Sequence, residues 1–147
     1  VLDIFNKTKE SEYPMNVASQ QVMIVEDDLL LLMVEERLVN NLGYKVVAKA
    51  SEGQHALRLF REINPELLIV DINLKGELTG IDIVEQLKKE GSDVPVIFLS
   101  GEQDVRMIEK AKSLGVVDYL LKPITAVGLK RSLDKAMLRR KAAVHAA

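Results

Sequence analysis

Four stretches of this 147-residue sequence run through apolar residues and stop on a group that can carry charge or hold a proton. "VMIVEDD" (22–28) ends in Glu26, Asp27 and Asp28, and "LLIVDIN" (67–73) in Asp71 with Asn73 two residues on. "VIFLS" (96–100) ends in Ser100, and "DYLLKP" (118–123) in Lys122 before a proline. Two carboxylates ~4 Å apart repel by ~4 kcal/mol at an effective dielectric of 20, so clustered acids call for a cation. Singly, each has a plain structural use. "EDD" before an apolar helix is a cap, Asp71 can form a turn, and "KP" is a common loop pair. The chemistry rests on whether the fold brings the four together.

The chain alternates short apolar runs with helical stretches, as a βα series does. Five strands are expected: β1 (22–26), β2 (44–50), β3 (67–72), β4 (95–100) and β5 (117–121). Between and after them lie α1 (29–42), α2 (53–62), α3 (80–90), α4 (103–114) and α5 (126–141). The first, third and fourth strands show no polar alternation, the pattern of parallel strands covered on both faces. Asp27 or Asp28 is placed to cap α1 and Ser51 to cap α2, while Gly43 and Gly115 stand where helices should stop. In α5, Leu129, Leu133, Ala136 and Met137 share one face and Leu138 points away from it. Met23, Met33, Met107 and Met137 fit apolar positions and are expected in the core. His55 lies in α2, away from the strand ends, and is read as a solvated or half-buried histidine.

Five strands, five helices and right-handed crossovers give a three-layer α/β sandwich. In such a sheet the residues that serve a site gather at the carboxyl ends of the strands. Four of the five strand ends then deliver an acid, an acid, a hydroxyl and a base to one edge.

Composition narrows the classes. Apolar residues make up 48% and charged residues 29%, which is globular. The longest apolar run is Leu29 to Val34, far short of the ~20 residues a membrane helix needs. With no cysteine there is neither a disulfide framework nor a thiolate metal site, and a reducing cytoplasm is the expected setting. The net charge is −2, yet Lys122 onward carries seven Lys/Arg against one Asp. A solvated basic face of α5 explains that without nucleic acid. The expected organisation is an N-terminal extension (1–20), one domain (21–141) and a C-terminal tail (142–147).

"VMIVEDD", "LLIVDINLKG…TG", "VIFLSG" and "DYLLKPI", in this order and spacing, resemble the receiver domain of two-component response regulators, in particular chemotaxis-type receivers. The resemblance covers about residues 21–140. It implies a flavodoxin-like parallel sheet in the order 2-1-3-4-5. It implies that Asp71 is the phosphoacceptor, that Glu26, Asp27, Asp71 and the backbone carbonyl of Asn73 hold Mg²⁺, and that Ser100 and Lys122 stabilise the phosphoryl group. Tyr119 matches the aromatic switch residue, and Asn73 and Glu102 the positions that tune dephosphorylation. It also implies a cis Lys122–Pro123 peptide. The implied charges balance: Glu26, Asp27 and Asp71 carry −3, while Mg²⁺ and Lys122 supply +3. Ser100 stands where Thr is frequent in the family and Gly101 where Ala is, and "INLKGELTG" lacks the usual proline and is one residue longer.

The function expected is a phosphorylation-activated switch, not an enzyme beyond slow self-dephosphorylation. A histidine kinase or phosphotransfer protein would load Asp71. Output would pass through the α4–β5–α5 surface to a protein target or a second copy, with neither direct nucleic-acid contact nor a membrane. After Lys122 only 25 residues remain, too few for a helix-turn-helix or zinc-finger domain, and the chain begins without Met, so a stand-alone protein and a piece of a larger regulator or hybrid kinase both remain open. A haloacid-dehalogenase-type phosphohydrolase would need an acid two residues after its nucleophile, where Asn73 stands. A flavodoxin-like FMN carrier would need a glycine- and hydroxyl-rich phosphate loop after β1, which is missing from this sequence.

Overall fold

A computed structural model describes residues 20–101 and 104–146. The elements are β1 (Gln21–Val25), α1 (Leu29–Asn41), β2 (Lys45–Ala50), α2 (Gly53–Ile63), β3 (Leu67–Asp71), α3 (Gly80–Lys89), β4 (Val96–Ser100), α4 (Val105–Ser113), β5 (Asp118–Leu121) and α5 (Ala126–Ala146). All five strands are parallel, in the order β2-β1-β3-β4-β5. The two-residue period of the strands divides the core between the faces of the sheet. Met23, Val25, Leu68, Val70 and Phe98 pack under α2, α3 and α4, through residues such as Phe60, Ile83, Leu87 and Ala111. Val22, Ile24, Leu67, Ile69, Ile97 and Leu99 pack under α1 and α5, through Leu32, Val39, Leu129, Leu133 and Ala136. Every residue of β3 and β4 is buried, while the edge strands β2 and β5 are only partly so.

Strand order reverses between β1 and β3. The chain leaves β1 toward β2 on one side, then returns to lay β3 on the other. That divergence opens a crevice at the carboxyl ends of β1 and β3, where an open α/β sheet places its ligands.

Local chemistry sets the boundaries. Asp28 caps α1, and Thr79 with Asp82 forms a capping box on α3. The cap of α2 is Glu52, which accepts from His55 N–H, and not Ser51: the helix starts at Gly53, one residue later than a Ser51 cap requires. Gly43 and Gly115 follow α1 and α4 at positive φ, as expected of helix stops. α5 runs to Ala146, beyond the expected end at 141, because "KAAVHA" holds strong helix formers and no breaker. The Lys122–Pro123 peptide is cis.

One expectation about the core fails. Met33 is 67% exposed, and it shares an outward face of α1 with Leu29, Leu30 and Val34. The run from Leu29 to Val34 is apolar all round, so periodicity could not say which side faces the sheet. Met23 is fully buried, Met107 and Met137 pack against the core, and Leu138 is exposed. His55 is also exposed.

Candidate functional site

The strand ends meet as expected. Glu26 follows β1 and is fully buried, Asp27 is half-buried, and Asp28 is exposed. Asp28 belongs to the helix: its Oδ1 accepts from Leu30 N–H at 3.0 Å and Leu31 N–H at 3.1 Å. Asp71 closes β3 at 4% exposure, and Ser100 closes β4, buried. Lys122, just after β5, extends to both acids. Its Nζ lies 2.6 Å from Glu26 Oε1 and 3.0 Å from Asp71 Oδ2.

A backbone amide holds one oxygen of each carboxylate. Glu26 Oε2 accepts from Asp28 N–H at 3.3 Å, Asp71 Oδ1 from Asn73 N–H at 3.0 Å, and Asp27 Oδ2 from Lys75 N–H at 2.9 Å. Glu26, Asp27 and Asp71 each offer an oxygen within 4.8 Å of the others'. Asn73 Nδ2 donates to Ser100 Oγ at 3.4 Å, linking the β3–α3 loop to the end of β4. Tyr119, half-buried in β5, packs against the α2–α3–α4 side of the core. Tyr119, Asn73, Ser100, Asp104 and Met107 surround a small cavity. Glu102 lies outside the described residues.

Burial and like charge dominate the electrostatics. Desolvation raises the Glu26 carboxyl above its ordinary value, against the lowering effect of its hydrogen bonds with Glu35 and Lys122. Burial also works to lower Lys122, but its bonds to Glu26 and Asp71 outweigh it and carry the ammonium upward. Lys122 is therefore a firm cation among acids that outnumber it.

Glu35 is the residue that sequence reasoning missed. It lies on α1 at 3% exposure, between Leu32 and Val39 on the buried face, and its carboxyl interacts with that of Glu26. Desolvation first, and then the Glu26 carboxyl, push it up to about 9. The signal was its spacing: Leu32, Glu35 and Val39 recur at i, i+3, i+7, which puts an acid on the core side of a helix.

A family model described as the response regulator receiver domain matches residues 22–134. The chain belongs to this family. Among its relatives are the transcriptional regulatory protein CitT of Bacillus subtilis and the chemotaxis protein CheY of Thermotoga maritima. The first is 29% identical over 82% of this chain and 53% of that protein. The second is 26% identical over 79% of this chain and 96% of that one. The receiver domain of a modulated diguanylate cyclase from Desulfovibrio desulfuricans superposes with a TM-score of 0.76 at 34% identity, covering 83% of this chain and 96% of that chain. The chain spans about half the length of most of the curated relatives it matches.

In this receiver domain the donor set suits a hard divalent cation. Three carboxylates converge on one edge, all donors are oxygen, and one ammonium leaves the cluster under-neutralised. Asp71 lies at the centre: Lys122 holds one oxygen, Asn73 N–H the other, and Ser100 ends the adjacent strand. Among the described residues no helix is long and apolar enough to cross a membrane.

Proposed function

We propose that this receiver domain is switched by transfer of a phosphoryl group to Asp71 from the phosphohistidine of a histidine kinase or phosphotransfer protein. The observation that carries the reading is Asp71 itself, a nearly buried carboxylate at the β1/β3 crevice, paired with Lys122 and flanked by Glu26 and Asp27. In the transfer, a carboxylate oxygen of Asp71 forms the new P–O bond as the donor's P–N bond breaks, and the electron pair stays with the imidazole. Such reactions need groups positioned in line and charge neutralised on the equatorial oxygens. Lys122 Nζ, 3.0 Å from Asp71 Oδ2, would pair with one of those oxygens, and the Ser100 hydroxyl, at the end of the adjacent strand, would donate to another. Asn73 N–H fixes the other Asp71 oxygen and so the angle of attack.

Mg²⁺ is the cation proposed for Glu26, Asp27, Asp71 and the Asn73 carbonyl; bound there, it would supply positive charge to the phosphoryl oxygens. Asn73 and Glu102 would set the lifetime of the phosphorylated state. The domain would act as a signalling element with at most slow self-dephosphorylation, in the cytoplasm. Ser100 leads into the segment before α4, so a hydroxyl drawn onto the phosphoryl group would move that segment. Tyr119 could then turn toward the cavity behind Ser100, and the α4–β5–α5 surface would present a second packing to a protein target or a second copy.

The test is mass spectrometry after incubation with Mg²⁺ and acetyl phosphate. One base-labile adduct is expected on the wild type and none on Asp71→Asn. Equal incorporation by the two would refute the assignment. Hydrogen exchange with beryllofluoride should change at 104–115 and 117–135; changes confined to α1 and α2 would refute the output surface.

A further inference from the structure

The bond between Lys75 N–H and Asp27 differs in kind from the other two amide–carboxylate bonds. Glu26 and Asp71 accept from amides two residues along the chain, so those bonds are local turns. Asp27 accepts across 48 residues, from the loop joining β3 to α3. We propose that the Lys75 backbone amide is a positioning group for the cation centre: it holds Asp27 Oδ2 so that Oδ1 faces the ion, and it couples cation binding to the β3–α3 loop. The proposal rests on the Mg²⁺ reading given above.

The loop is built to hold that amide still. Leu74, the residue before it, is 5% exposed and packs in the core under α2 and α3. Gly76, the residue after it, sits at φ +103°, a turn that a side chain would strain. Two residues further on, Leu78 packs on the start of α2: a Cβ added at Gly53 would lie 2.5 Å from Leu78 Cβ. The amide is thus clamped between two apolar anchors while the Lys75 side chain is exposed. The N–H, and not the ammonium, reaches the site.

Asp27 needs such support. It is the least buried of the three acids, and Lys122, which pairs with Glu26 and Asp71, does not pair with it. Without the loop amide its carboxylate would be free to turn to water. Groups that orient a metal ligand from outside the first ring of contacts typically change affinity by ~10–100-fold when removed. The coupling is reciprocal, so a bound ion must hold the loop as firmly as the loop holds the ligand.

The deciding variant replaces the 74–75 peptide bond with an ester by installing the α-hydroxy counterpart of lysine at position 75. This removes the N–H and keeps the side chain. Lys75→Ala, which keeps the N–H, and an ester at 76–77 are the controls. Mg²⁺ affinity is measured by calorimetry, with Mn²⁺ paramagnetic resonance as a second probe. The 74–75 ester should weaken binding tenfold or more, while both controls stay within twofold of wild type. An ester that binds as the wild type does would overturn the proposal and leave the Mg²⁺ reading standing. A wild type that binds no Mg²⁺ would overturn both. In the unmodified chain, saturating Mg²⁺ should slow hydrogen exchange at the Lys75 amide several-fold, and an unchanged rate there would equally refute the coupling.

Discussion

Replacing Glu35 with Gln should stabilise the ion-free domain, and by an amount that depends on pH. The carboxyl of Glu35 is pushed up to about 9 by burial and by Glu26, against an ordinary 4.5. Between those values the folded protein keeps a proton that the unfolded chain releases. Folding is therefore opposed by ~1.4 kcal/mol for each pH unit above 4.5. The stability Glu35 allows is fully present below 4.5 and is lost as pH rises toward 9. At pH 7 the cost is on the order of 3 kcal/mol. Gln has the same shape, keeps a donor toward Glu26, and carries no proton to hold. The charged groups in reach of Glu35 are Glu26, Lys122 and Asp71, and all three are unchanged in the variant. Urea unfolding in chelator at pH 5, 6, 7 and 8 measures the difference. Glu35→Gln should match wild type within ~1 kcal/mol at pH 5 and exceed it by ~3 kcal/mol at pH 7. A difference that does not change with pH, or a loss at every pH, would show that Glu35 folds as an ordinary carboxylate and refute the reasoning.

Other perturbations test the site's construction. Lys122→Met leaves buried Glu26 and Asp71 without their shared ammonium, and should destabilise the ion-free protein by ~3–5 kcal/mol, with Mg²⁺ restoring part of the melting midpoint. A variant as stable as wild type in chelator would mean that the acids carry fewer charges than assigned. Asp28→Ala removes the acceptor of two α1 amides and should cost ~1 kcal/mol while leaving Mg²⁺ affinity unchanged. Lost affinity would make Asp28 part of the cation centre.

What the sequence could and could not show follows from the physics of each signal. β1, β3 and β4 were legible because a strand covered on both faces must be apolar throughout, and polar residues then appear only at its end. That rule brings Glu26, Asp71 and Ser100 to one edge, and the structure places them there, with Lys122 joining them from the end of the half-buried edge strand β5. α1 was less legible. Its six apolar residues in a row satisfy any orientation, so Met33 could be read as core although it faces outward. The same uniformity hid Glu35, which lies on the inward face beside the more prominent "EDD". The bond from the β3–α3 loop to Asp27 had no sequence signal at all, because its donor is a backbone amide, and every residue except proline carries one. Residue type records what a side chain can do. Where a backbone group does the work, the sequence records only what shapes the loop: here a buried Leu74, a Gly76 that permits the turn, and a Gly53 that lets Leu78 approach.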